Sequence, residues 1–334
     1  MNQHQYEALK LISEDGHNVG KRLSQLLGIS RQAASARLKR LVNHGLVAAT
    51  GTSRARVYTL KNLAAETRTY PTAGLSEDVV WRELGSPIVS DLPENVRDIW
   101  HYGITEMVNN AIDHSGADSV HVGISRTALY TTAWVSDRGE GIFLKIQRAL
   151  GLYDPREAIL ELAKGKFTTD PVNHTGEGIF FSSKMFDAYD IRSGNLYFRH
   201  DAGELDVLAE QEKTDGGTLV LMRLGNDSRR TMKEVFDQFS SPDEYTFDRT
   251  IVPVRLAIHE GEKLVSRSQA KRLTMRFERF RHVILDFDGV NEIGQAFADE
   301  IFRVFQAAHP NIIMVPVHMT AAVKDMVNRA KPRE

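Results

Sequence analysis

Glu106, Asn110 and Asp113 stand four and then three residues apart in the stretch Glu106-Met-Val-Asn-Asn-Ala-Ile-Asp113-His114-Ser115. On an α-helix this spacing puts an acid, an amide and a second acid on one face. A carboxylate in such a place can orient and deprotonate a water, and an amide oxygen is a hard ligand suited to magnesium. The helix that must carry them is marked by Trp100, Ile104, Val108 and Ala111, whose spacing makes a separate apolar stripe for packing. Asp91-Leu-Pro93-Glu94 reads as its start, because proline fits a first helical turn.

Two glycine-rich turns accompany this helix. An apolar, β-prone run from Leu129 to Val135 leads into Asp137-Arg-Gly139-Glu-Gly141, so Asp137 falls where a strand ends and a flexible turn begins. Further on, His174-Thr175-Gly176-Glu177-Gly178-Ile179-Phe180 opens a helix-like stretch running through Met185. Glycines there let backbone amides approach phosphate oxygens closely.

Together these segments resemble the Bergerat-type (GHKL, histidine-kinase-like) ATP-binding fold shared by gyrase B, histidine kinases and the MutL repair proteins. Glu106, Asn110 and Asp113 match its N box, Asp137, Gly139 and Gly141 its D-x-G-x-G box, and Thr175, Gly176 and Gly178 its second glycine box. The resemblance implies an α/β sandwich over residues 90–228 that binds ATP with Mg2+. It assigns Asp137 to the adenine amine, Asn110 to Mg2+, Glu106 to the attacking water and Asp113 to the base side of the pocket through water. His114 reads as an ordinary helix-end histidine. Two departures stand out: His174 occupies the place of a glycine usual in histidine kinases, and Glu177 puts a negative charge beside the phosphates with no evident reason. Phe143 to Asn173 corresponds to the ATP lid, where Lys145, Arg148, Lys164 and Lys166 are either phosphate contacts or exposed lid cations. Residues 217–224 read as the closing strand of this sheet.

The 334-residue chain is 42% hydrophobic and 26% charged, as an ordinary globular protein of two or three domains would be. Cysteine is absent, which excludes thiol chemistry and Cys-based metal sites and fits a reducing cytosol. With no run of membrane-spanning length and a polar start at Asn2-Gln-His-Gln5, a cytoplasmic protein with no membrane partner is expected. Residues 1–62 hold ten Lys and Arg against three Asp and Glu, a charge of +7 within a total of −2, which leaves −9 elsewhere. One end is thus built for a polyanion.

That basic end reads as three helices, the third running from Ser30 to His44 with Ala34, Leu38 and Leu41 inward, followed by two strands around a Gly51-Thr-Ser-Arg tip. This is the plan of a winged helix-turn-helix over residues 1–62, and it resembles the MarR- and ArsR-like regulators. Double-stranded DNA is the expected partner. Arg31, Gln32 and Ser35 are candidates for base edges, and Lys39, Arg54 and Arg56 for phosphates.

Residues 63–89, punctuated by Pro71, Gly74 and Pro87, read as a linker with a short helix near Ser76 to Leu84. From residue 243 to 334, strands and helices alternate as a small α/β domain. Residues 285–300 resemble STAS-like domains of unknown function, and imply docking of a protein partner or self-association. The loop Glu292-Ile-Gly-Gln-Ala296 lacks the hydroxyl that a phosphorylated STAS switch requires.

The fold class expected is therefore multidomain: a mostly α winged helix, an α/β-sandwich ATPase and a small α/β domain. The function expected is an ATP-binding, Mg2+-dependent and ATP-hydrolysing regulator whose nucleotide state controls homodimer formation and DNA binding. Two other readings stay open. One is a serine or histidine protein kinase of the anti-sigma kind, although none of the twelve histidines lies in a phosphoacceptor hairpin ahead of Glu106. The other is a DNA-acting ATPase of a defence or repair system.

Overall fold

A computed structural model describes residues 2–52, 55–167, 176–203, 206–212, 216–240, 246–258 and 262–331. The N-terminal unit is α1 (Gln3–Glu14), α2 (Val19–Leu27) and α3 (Arg31–Asn43), then an antiparallel pair of strands, β1 (Val47–Thr50) and β2 (Val57–Leu60). Its apolar positions recur at helical spacing, so Leu9, Ile12, Leu23, Leu38 and Leu41 meet in one small core. Ser30 caps α3 by accepting the Ala33 N–H at 3.1 Å. Leu129, from the body of the protein, completes this core.

The stretch expected as a linker is part of the body instead. β3 (Ala64–Pro71) pairs along its whole length with β4 (Ser119–Arg126) as the edge of the central sheet. α4 (Glu77–Val80), a π-helical turn (Trp81–Gly85) and α5 (Ser86–Val89) then bury Val80, Leu84 and Val89 in the main core. The prolines and Gly74 misled for a local reason. An edge strand tolerates Pro71 at its end, Gly74 turns the chain with φ 72°, and Pro87 falls in the first turn of α5, just after the π turn.

α6 (Glu94–His114) crosses the sheet, and its buried stripe of Val96, Trp100, Ile104, Val108 and Ala111 packs against β4, β5 (Tyr130–Asp137) and β9 (Thr218–Gly225). α7 (Ile142–Leu150), α8 (Glu157–Lys164) and α9 (Gly178–Met185) follow, then β6 (Ala188–Ser193), β7 (Leu196–Asp201), β8 (Val207–Glu210), β9 (Thr218–Gly225) and α10 (Met232–Phe239). The seven strands run in the order β3-β4-β5-β9-β6-β7-β8, every neighbouring pair antiparallel. Alternation along β5 sends Thr131, Ala133, Val135 and Asp137 to the buried side. A carboxylate at the end of an apolar row is thereby aimed under α6.

The C-terminal unit has three parallel strands, β10 (Arg249–Pro253), β11 (His282–Asp286) and β12 (Ile313–Val317). Its helices are α11 (Arg267–Thr274), α12 (Gln295–Asp299) continued by a π turn into α13 (Gln306–Ala308), and α14 (Ala321–Ala330). It packs directly against the central domain. Phe180 and Phe181 of α9 lie 4.8 and 4.9 Å from Phe247, which lies 5.6 Å from Phe280, so both units share one aromatic core. The fold is thus multidomain α/β: helix-turn-helix, antiparallel central sheet and parallel C-terminal layer. Among the described residues, no helix is long and apolar enough to cross a membrane.

Candidate functional site

A cavity of about 260 Å³ opens between α6, the end of β5, the start of β9 and the helices α7 and α9. Glu106, Asn110, Asp137, Gly141, Gly176 and Gly178, scattered over seventy residues of sequence, all line it. Asp113 does not. The cleft lies on the side of α6 that carries Glu106, Asn110 and His114 at four-residue steps, and Asp113 is turned further round and exposed. Gly139 sits behind the wall. A side chain there would meet the Ser115 carbonyl at 2.0 Å, so glycine lets the turn close against the end of α6. Thr175 and His174 lie outside the described residues.

Asp137 is 7% exposed, and its Oδ1 accepts from the Gly139 N–H at 2.8 Å and the Thr218 N–H at 3.3 Å. No described residue donates to Oδ2. Burial pushes the carboxyl above its ordinary range, and the two backbone N–H groups only partly oppose this. An acid whose folded pKa is raised adds stability below its unfolded pKa and loses it as pH rises through the folded value. Asp137→Asn is therefore expected to raise the melting temperature of the ligand-free protein at neutral pH, with the gain vanishing as pH falls through that raised pKa. Thermal melts across pH check this. A gain that persists undiminished in acid would mean that ionisation of Asp137 is not its source.

Glu106 lies against the first residue of α9. A Cβ on Gly178 would fall 1.9 Å from Glu106 Oε2, so only glycine admits the carboxylate there. Its carboxylate and that of Glu177 face Tyr102, whose phenol burial and both charges push well above the usual tyrosine range. Glu177 now has a physical account. It stands at the N-cap position of α9 without a side-chain capping bond, where an acid suits the positive end of the helix, and its charge supports that of Lys166. On the next turn of α6, Asn110 Nδ2 is buried with no hydrogen-bond partner among the described residues. An orphaned amide in a cleft calls for a polar occupant.

Two of the four candidate lid cations are elsewhere employed. Lys164 is fully buried, donating to Glu161 Oε1 at 2.6 Å and to the Met275 carbonyl at 2.9 Å. Lys166 donates to the Arg279 carbonyl at 3.0 Å. Neither lines the cleft, because α8 and the residues that follow it are docked on the C-terminal unit and do not form an exposed lid. Arg148 pairs with Glu140. Lys145 alone of the four lines the cavity, its Nζ donating to the His114 carbonyl at 2.7 Å. The sequence reading missed Thr218, which holds Asp137 and accepts the Ile142 N–H at 3.0 Å, although Gly216-Gly217 directly before a strand was an available signal. It also missed Tyr102, one turn before Glu106 on the same helix.

At the other end of the chain, Arg31, Gln32, Ser35 and Lys39 are all exposed along α3, and Arg56 is exposed at the start of β2. Arg54 lies outside the described residues. Lys39→Ala and Arg56→Ala are expected to weaken binding to all duplexes alike, each flattening the salt dependence by about one unit of log–log slope. Gln32→Ala should instead relax sequence preference, at about 1–3 kcal/mol on preferred sites. Fluorescence titrations on preferred and random duplexes separate the two classes. Equal losses on both duplexes for Gln32→Ala would mean that it reads no base.

Comparison with known proteins adds two partial matches. Residues 1–48 match a family described as winged helix-turn-helix, DNA-binding, and residues 269–324 match the STAS-like domain of unknown function DUF4325. No curated protein matches the chain. What the matches establish is an N-terminal winged helix-turn-helix of the DNA-binding kind and a C-terminal STAS-like domain, flanking the antiparallel domain that holds the cleft.

Proposed function

We propose that the protein is an ATP-binding, ATP-hydrolysing DNA-binding regulator, with the cleft as a Mg2+-dependent nucleotide site of the Bergerat kind. The observation that carries this reading is convergence: an acid, an amide, a buried carboxylate and three glycines from separate segments meet around one cavity. Asp137 Oδ2 accepts from the adenine amine while Oδ1 stays anchored to Gly139 and Thr218. Asn110 would hold Mg2+ through its amide oxygen. The donor set fits this ion: the Asn110 amide and the nearby Glu106 carboxylate are hard oxygen donors, and magnesium commonly takes few protein ligands and keeps its waters. Bound Mg2+ neutralises charge that develops on the phosphates. Glu106 orients a water and takes its proton. Gly176 and Gly178 leave the backbone open to phosphate oxygens at the start of α9.

The reader packs at the end of β5 away from this site, with the eight residues of the strand, about 25 Å, between them. Leu129, in the winged-helix core, immediately precedes β5, and β5 ends at Asp137. Nucleotide alters DNA affinity only if one DNA-binding arrangement also holds nucleotide better. The test is a duplex titration with and without a saturating non-hydrolysable ATP analogue and Mg2+, followed in parallel by sedimentation. The expected result is self-association with analogue and a DNA affinity shifted by roughly fivefold or more. Unchanged mass and an unchanged isotherm, with analogue binding confirmed, would leave two independent modules.

A further inference from the structure

The outer wall of the cleft is held from the C-terminal domain. Leu162 and Phe167 line the cavity, and both belong to a segment that this domain grips. Every residue of α8 is buried. Glu161 accepts from Lys164 at 2.6 Å and from Arg276 Nη1 at 2.9 Å, Arg272 reaches Glu157 at 3.0 Å, and Thr250 donates to the Lys164 carbonyl at 2.8 Å. Arg276 reaches furthest. Its Nη2 donates to the Gly165 carbonyl at 3.0 Å and to the Lys166 carbonyl, and its guanidinium lies 5.3 Å from the centre of the Phe167 ring. One side chain thus holds three consecutive residues. The Phe167 N–H in turn donates to the Gly176 carbonyl at 3.1 Å, closing the wall across to the glycine turn.

Backbone strain marks the same junction. Lys166 (φ 53°) and Arg276 (φ 65°) both adopt the left-handed conformation that side chains disfavour. Residues persist in that region when their surroundings over-determine them. Here the two strained residues are hydrogen-bonded to each other across the domain boundary. These bonds act on the position of residues 165–167 in addition to their contact with the shared aromatic core.

We propose that Arg276 is a positioning residue through which the C-terminal domain fixes the Phe167 wall, and so sets how tightly the cleft holds its ligand. The identity of that ligand rests on the nucleotide reading above. Arg276→Gly is the informative variant, because glycine suits the left-handed backbone and Glu161 keeps Lys164 as its partner. Arg272→Met is the control, since it removes another ion pair across the same boundary, away from Phe167. Hydrogen exchange at the Phe167 amide is measured in the full-length, nucleotide-free protein, and the affinity for a non-hydrolysable ATP analogue with Mg2+ is measured by calorimetry.

Arg276→Gly is expected to speed Phe167 exchange and to weaken analogue binding, each about tenfold or more, while Arg272→Met leaves both near the parent values. Arg276→Lys, which keeps the charge but not the fork, should fall between, and it replaces the glycine variant if that protein does not fold. Unchanged exchange, equal effects of Arg276→Gly and Arg272→Met, or faster exchange with unchanged affinity would each overturn the proposal. If the parent protein binds no adenine nucleotide, the function proposed above fails, and the exchange result still decides whether Arg276 holds the wall.

Discussion

Glu106→Gln is expected to leave ATP affinity close to that of the parent and to cut turnover by roughly 10²–10⁴-fold, the usual worth of a general base. The geometry supports a clean separation of the two. The carboxylate lies against Gly178 at the start of α9, where a Cβ would come within 1.9 Å of Oε2. Glutamine has nearly the same shape, so it occupies the same gap and still binds a water, but it cannot take the proton. Steady-state phosphate release and analogue calorimetry on the same sample check this. Hydrolysis at the parent rate would reduce Glu106 to a structural role and leave a site that binds without catalysing.

Asp137→Asn should act on binding. Asparagine Oδ1 can go on accepting from Gly139 and Thr218, which leaves Nδ2, a donor, on the side where Asp137 offers an acceptor. Two donors then face each other across a buried gap. Losing a charge-assisted hydrogen bond there costs about 1.5–3 kcal/mol, or roughly 10- to 150-fold in affinity. The same substitution is expected to stabilise the empty protein at neutral pH, so weaker binding cannot be put down to a damaged fold. Unchanged ATP affinity in calorimetry would remove the assignment of Asp137 to adenine.

The elements bearing chemistry were legible because each signal is local. The stripe from Trp100 to Ala111 defined α6, the β-prone run to Val135 placed Asp137 at a strand end, and Ser30 marked the start of α3. In the C-terminal unit strands and helices alternate as the sequence pattern predicts. Of the second glycine-rich turn, Gly176 and Gly178 line the cleft, while Thr175 lies outside the described residues.

What periodicity could not determine is which faces meet. Residues 63–89 carry the punctuation of a linker, and only pairing of β3 with β4 turns them into a sheet edge. Spacing puts Glu106, Asn110 and Asp113 on one side of a helix, but the direction of the cleft, set by β5 and β9, leaves Asp113 outside. Lys164 in sequence is an ordinary lid lysine. It is buried because α8 is enclosed between the central helices and a domain whose contacts with it, at Arg272, Met275 and Arg276, lie more than a hundred residues away. The sequence by itself determined the local elements and the residue types able to do chemistry, since these follow from backbone geometry and hydrophobic period over a few turns. The tertiary structure alone decided which of those residues share a cavity and which become buried ties between domains, because burial and ion pairing depend on partners distant in the chain.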